Sequence, residues 1–216
     1  MMPIQVISVL LVVLEIIKQA VSLSRGYDLY HIPLHFCSLF VFVMPVLSFY
    51  KGKHVQSVRA VAAAITASVF LLMLIYPNLI YGAHDIENFT REFMCFHTVV
   101  FHNTVMQALM IMLALNIYKP NTKKDIKPVM LFVVVFCAVS SVMAQILKTN
   151  YANFYTCNIP VLEAVRITVQ GIMGKTLTQI LYILIVSLLN LAFVFGSYWA
   201  YVGINALLLK LNLKSR

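Results

Sequence analysis

Apolar residues gather into runs at about 3–23, 31–50, 57–80, 93–117, 128–147 and 174–209, separated by short polar clusters. A membrane-spanning helix needs about 20 mostly apolar residues, and each run reaches or approaches that length. The pattern predicts an all-α, polytopic membrane protein with six transmembrane helices. Ordinary stop signals mark the ends of the runs. Lys51-Gly52-Lys53 closes the second, Tyr76-Pro77-Asn78 frays the third and Lys119-Pro120-Asn121 closes the fourth. Pro128 is expected to open the fifth helix, where its missing amide proton costs nothing. The last run exceeds one perpendicular crossing. Tilting, a break near Gly196 or an end lying along the interface would each accommodate it, and a split into two spans would put the C-terminus outside.

Lysine and arginine orient such helices, because cytoplasmic loops carry them in excess. One set of connections holds Lys51, Lys53, Arg59, Lys119, Lys123, Lys124, Lys127, Lys210, Lys214 and Arg216, ten in all. The opposite set holds five, Arg25, Arg91, Lys148, Arg166 and Lys175, mixed with Asp28, Asp85, Glu87, Glu92 and Glu163. The richer side is therefore expected to be cytoplasmic, with both termini there. Two outer connections, about 77–92 and 148–173, are long enough to form lids or re-entrant pieces.

Composition narrows the class further. The 216 residues are 62% hydrophobic and 11% charged, far from the quarter charged that is usual for soluble domains. Little chain remains for an aqueous domain, so residues 1–216 read as one membrane domain of a multi-pass protein in the cell membrane. The net charge of +9 does not point to nucleic acid, since the basic residues lie between apolar runs rather than along one face. The first run lacks a basic leader and a small-residue cleavage site, and is expected to stay as the first helix. Cys37, Cys95, Cys137 and Cys157 show no paired metal-site spacing. Cys95 and Cys157 both fall near the outer surface, which leaves a disulfide between them open.

Polar residues inside the runs carry the functional signal, because an ionisable group at mid-membrane costs about 2.5–3.5 kcal/mol on insertion scales. Glu15, Lys18, Gln19 and Ser22 share one face of helix 1, and Glu15 can pair with Lys18. His31, His35 and Ser38 would share a face of helix 2. His97 and His102 lie on helix 4, about 140° apart, with Asn103 and Thr104 following. Ser141, Gln145 and Lys148 form a stripe on helix 5, and Lys175, Gln179 and Tyr182 another on helix 6. In the topology above these stripes fall in the outer half of the membrane, whereas the alanine-rich helix 3 has almost no polar residues and suits close packing. The expected result is an outward polar cavity lined by histidines. Ser141 and Gln145 also suit plain interhelical hydrogen bonding, Glu15 and Lys18 a structural ion pair, and His31 and Lys175 interfacial snorkelling.

The motifs Pro33-Leu34-His35-Phe36-Cys37, Phe101-His102-Asn103 and Asn150-Tyr151 resemble, in order and spacing, the YwaF-like family of bacterial integral membrane proteins, to which animal transmembrane protein 164 is related. The resemblance covers most of the chain. It implies an acyltransferase that moves fatty-acyl chains between phospholipids with a cysteine and a histidine. The more distant androgen-induced-type membrane hydrolases cleave fatty-acid esters with a threonine and a histidine. His102, followed by Asn103-Thr104, fits the histidine position of both. The family cysteine falls at the helix 2 entry, in register with either Cys37 or Leu34; with Leu34, this chain lacks that nucleophile, and acyl chemistry needs Cys37 in a shifted role or no cysteine at all.

Such chemistry needs a nucleophile, a base and donors for the tetrahedral intermediate. The candidate catalytic residues are His102, Cys37, His35 and His97. Glu15, Lys18, Asn103, Gln145 and Tyr151 are candidates for substrate binding, with Asn103, His97 and Lys18 as possible oxyanion donors. Membrane lipids are the expected partners, nucleic acid is not, and no metal or cofactor is called for. The competing reading is a small-solute transporter or the substrate-binding subunit of one, which also needs an outward polar cavity. A third has His35 clamping haem with His97 or His102, or His31 and His35 holding zinc.

Overall fold

A computed structural model describes residues 2–82 and 84–214. Its helices are α1 (Met2–Ser24), α2 (Phe40–Phe49), α3 (Val55–Ile75), α4 (Phe93–Ala114), α5 (Thr122–Leu147), α6 (Pro160–Met173) and α7 (Lys175–Lys214). Short 3-10 turns occur at Leu29–His31, Cys37–Leu39, Pro77–Leu79 and Tyr151–Asn153. No strand occurs among the described residues. Five helices, α1, α3, α4, α5 and α7, are long and apolar enough to cross a bilayer, and Cys37–Phe49 is a shorter apolar helix. Arg216, counted above among the cytoplasmic basic residues, lies outside the described residues.

The helix at the centre is α3, which packs against α2, α4, α5 and α7, while α1 packs on α2 and α4. Small side chains make this placement possible. Ala60, Ala62, Ala63, Ala64 and Ala67 are buried, so neighbouring backbones approach closely without a hydrophobic drive between helices. Thr66 and Ser68 are buried too, and their hydroxyls donate back to the carbonyls of Ala62 at 2.6 Å and Ala64 at 2.8 Å. The outward faces are apolar instead: Val13, Ile16, Leu131, Val135, Leu184 and Leu188 are all exposed. An apolar exterior of this extent belongs in lipid.

Several boundaries depart from the apolar runs. The second run begins near residue 31, but regular helix begins only at Phe40. Ile32 precedes Pro33 and takes the extended conformation that proline imposes on its predecessor, at φ −59° and ψ 133°. His31 and His35 therefore lie on a turn and a loop, which corrects the expected His31, His35 and Ser38 helical face. Pro128 does not open α5; it sits inside a helix that starts at Thr122. The earlier start is held by Asp125, whose buried carboxylate accepts the Asn121 amide at 2.5 Å, the Tyr198 hydroxyl at 2.9 Å and the Tyr118 hydroxyl.

The last run is a single helix of 40 residues, unbroken at Gly196. At 1.5 Å per residue it extends about 60 Å, twice the hydrocarbon core of about 30 Å. The connection 148–173 contains α6, which packs on α7. Between them Gly174 has φ 80° and ψ 159°, a region essentially closed to residues with a Cβ. All four cysteines are free.

Candidate functional site

Four segments converge to form a polar cavity of about 230 Å³: the second half of α1, the turn-rich stretch 30–38, the connection after α3 and the first turns of α4. Six of the nine candidate catalytic and binding residues line it, Glu15, Lys18, His35, Cys37, His97 and His102, and so do His31 and Ser38. Asn103, Gln145 and Tyr151 are not among the lining residues. Asn103 is exposed, and its Nδ2 donates to the Val99 carbonyl at 2.8 Å and the Tyr81 hydroxyl at 3.4 Å. Gln145 donates from Nε2 to the Phe154 carbonyl at 2.9 Å, and Gln179 donates to the same oxygen at 3.0 Å, so together they fasten the 151–154 turn. Tyr151 is fully buried, gives its hydroxyl to the Leu29 carbonyl at 2.5 Å and sets its ring edge against His35.

The floor of the cavity is an ionic network. Glu15 is buried, and its Oε1 accepts from Lys18 Nζ and from Gln19 Nε2, each at 2.7 Å. Its Oε2 lies 3.6 Å from His97 Nε2. That separation is too long for a hydrogen bond, and His97 Nε2, buried beside the Glu15 carboxylate, has no hydrogen-bond partner. Gln19 extends the network to the turn that follows α1. It donates to the His31 carbonyl at 2.7 Å and accepts the Tyr27 hydroxyl at 2.6 Å. Tyr27, outside the helices, has its hydroxyl pushed toward the neutral form by burial and then by the Glu15 charge. Ser22 and His31 Nδ1 are 2.6 Å apart, which ties the same turn to α1.

His102 is held differently. Its Nδ1 lies 2.7 Å from the Thr98 carbonyl one turn earlier, and a carbonyl only accepts, so Nδ1 carries the proton. Nε2 is then the basic nitrogen, and it is buried without a hydrogen-bond partner. Phe101 and Tyr81 meet the imidazole edge-on and restrict its rotation. On the opposite loop, His35 Nε2 lies 3.1 Å from the Tyr30 carbonyl, so this nitrogen is the donor there. His35 is thereby oriented by a hydrogen bond and by Tyr30 and Tyr151, whereas His102 alone combines a fixed tautomer with a free buried acceptor.

A family model described as the TMEM164 family matches residues 2–198. The chain belongs to the TMEM164 family. It is a membrane protein of apolar helices, and the relation to transmembrane protein 164 read from the helix 2 and helix 4 motifs holds, while the match does not carry the YwaF-like name. No curated protein and no solved structure matches the chain.

Some contributors had weak signals in the sequence. Tyr30 lines the cavity, as do Leu79 and Ile80 from the α3–α4 connection. Asp28 gave a local clue, since its carboxylate accepts the Tyr30 amide at 2.9 Å and starts the turn that presents Tyr30. Leu79 and Ile80 had none, because their place depends on how the loop after Pro77 folds back. Among the described residues no group of three histidine, cysteine or acidic side chains converges as a metal site.

Proposed function

We propose that this protein acts on fatty-acyl esters of membrane lipids, as an acyltransferase or hydrolase, through His102 and Cys37. The observation that carries this reading is His102 Nε2, a buried acceptor with no partner, on the wall of a cavity that Cys37 also lines. A base must present such a lone pair, and a thiol is the nucleophile that needs least activation. The steps balance with these groups alone. The Cys37 thiol gives its proton to His102 Nε2 while Sγ attacks the ester carbonyl. Collapse of the tetrahedral intermediate breaks the ester C–O bond, and the departing lysolipid oxygen takes the proton from Nε2. An acceptor hydroxyl, or water, then gives its proton to Nε2 and attacks the thioester, restoring the thiol. Lys18 and His97 stand on the same cavity as donors for the oxyanion, and Glu15 positions Lys18. The acyltransferase activity implied by the family resemblance agrees with this assignment.

The topology proposed for this function has six crossings in the cell membrane, with the Cys37–Phe49 helix as the short second one and both termini cytoplasmic. Its support is the five long apolar helices, the shorter apolar helix and the lysine and arginine bias. The cavity then opens in the outer leaflet, where a lipid substrate keeps its tails in lipid.

The test is acyl exchange between labelled phospholipids by purified protein in vesicles. Cys37→Ala and His102→Ala are each expected to lower the rate by about 10²-fold or more. If both variants exchange acyl chains at the wild-type rate, this mechanism is wrong. Native mass spectrometry on the same samples addresses the solute-binding alternative, which the ionic floor of the cavity favours. A small polar solute at unit stoichiometry, with no acyl adduct at Cys37, would move the assignment there.

A further inference from the structure

Behind the polar cavity lies a second and larger hollow of about 350 Å³. The two share one wall, made by Tyr30, His35, Cys37, Leu79 and Ile80. The second hollow is a groove of different character. From the shared wall it runs along α7 past Tyr182, Val186, Leu189 and Phe193, with Leu72 of α3 and Leu162 of α6 as further walls. These α7 positions follow a helical stripe on one face. Most of the polar lining gathers toward the 150–158 turn, through Asn150, Asn153 and Asn158, with Asn190 the lining asparagine on α7. Tyr182 donates its hydroxyl to the Asn153 carbonyl at 2.6 Å, which fastens that end of the groove to α7.

We propose that this groove holds the fatty-acyl chain of the lipid whose ester is placed beside Cys37, while the head occupies the polar cavity. This rests on the acyl-ester reading of the cavity and adds where the chain lies and which residues select it. Three observations commit the groove to a single acyl chain. Most of its polar residues stand at one end; along its length α7 adds Asn190, whose Nδ2 is spent on the Val186 carbonyl at 3.0 Å, so the long side is mainly carbon, which matches a chain ending in an ester. From Tyr182 to Phe193 the stripe rises through eleven residue steps, about 17 Å at 1.5 Å per residue, close to the 15 Å or so of one leaflet's hydrocarbon. The wall it shares with the polar cavity contains the candidate nucleophile, so a chain seated there brings its carbonyl to the boundary between the two spaces. The chain could remain in place while one lipid head leaves the polar cavity and another enters. Val186 and Phe193 on α7, facing Leu72 across the groove, would then be the residues that select chain length.

The test uses the full-length protein in phosphatidylcholine vesicles containing a phosphatidylcholine whose palmitoyl chain bears a diazirine. After illumination, adducts are expected on Val186, Leu189, Phe193 or Leu72. Val186→Trp, or Leu72→Trp from the opposite wall, is expected to lower groove labelling at least ten-fold, with elution and melting temperature unchanged. His102→Ala is expected to keep the labelling, because it touches the chemistry and not the groove. Labelling that persists in both tryptophan variants, or that falls equally on the lipid-facing Leu131 and Val135 of α5, overturns the proposal. A cross-linked dimer through the groove also overturns it and makes the groove a contact between copies. Failure of the catalytic reading looks different: groove labelling is lost in Val186→Trp, but acyl exchange is unaffected by His102→Ala.

Discussion

Lys18 and Glu15 form an ion pair at 2.7 Å with side chains only 11% and 7% exposed. Removing one partner of a buried pair leaves the other charge uncompensated, which costs about 3–5 kcal/mol. Lys18→Met is therefore expected to lower the melting temperature of the protein in detergent, and the double variant Glu15→Gln/Lys18→Met to recover most of the loss. A Lys18→Met protein as stable as the wild type would show that water reaches Glu15 and replaces the lysine. The pair was legible in the sequence because i and i+3 on a helix are neighbours wherever the helix goes. The tautomer of His102 was not. It depends on rotation of the ring toward Thr98 and on Phe101 and Tyr81 holding it there, and His97, on the same helix, has its Nε2 beside Glu15 instead.

The connection from α5 to α7 shows how a segment with no long apolar run acquires a defined place. α6 has an exposed, amphipathic surface and no buried residue, so packing alone does not hold it. Polar contacts do. Glu163 Oε2 accepts from Arg166 Nε at 2.8 Å and from the Cys157 amide at 2.9 Å, and Arg166 reaches Gln179 of α7 at 3.0 Å and lies over the Tyr182 ring. The Arg166 hydrogen bonds hold the Glu163 carboxyl below the usual carboxylate value, assisted by the Cys157 amide and opposed by partial burial. A carboxyl whose folded pKa is depressed adds stability above its unfolded value, and that stability is lost as pH falls through the folded value. The α6–α7 contact is thus expected to be constant from neutral pH down to the ordinary carboxylate range and to loosen only below it. Spin labels on α6 and α7 would report this as a distance change confined to acid, and Glu163→Gln should remove the dependence on pH. Loosening near neutrality in the wild type would contradict the clasp.

For the protein in its membrane, the arrangement makes a sidedness prediction. In the proposed topology, with six crossings and both termini cytoplasmic, the connection after α3 lies outside and the connection after α4 inside. Thr90, on the first connection, and Lys123, in the first turn of α5 just past the second, are both exposed. In a chain whose native cysteines are replaced, Thr90→Cys is expected to react with an impermeant maleimide on intact cells, and Lys123→Cys only after permeabilisation. The reverse result would turn the molecule over and place the polar cavity in the inner leaflet.

The sequence by itself determined that this is a helical membrane protein, because run length and the cost of polar groups in lipid act locally and need no knowledge of neighbours. It also determined the polar face of α1 and the alanine-rich character of α3, since both follow from helical periodicity. Tertiary structure decided the rest. Pro33 delayed the second helix, and the loop this created, rather than a helical face, carries His35 into the cavity. Gln145 and Gln179 read as stripes facing the site, yet both spend their amides on the Phe154 carbonyl, a partner that the fold of the 151–154 turn supplies. The continuity of α7 and the groove along it likewise depend on which residues α3 and α6 bring against it. A side chain's position on its own helix is a local property, whereas its hydrogen-bond partner and the space in front of it are set by segments far away in the chain.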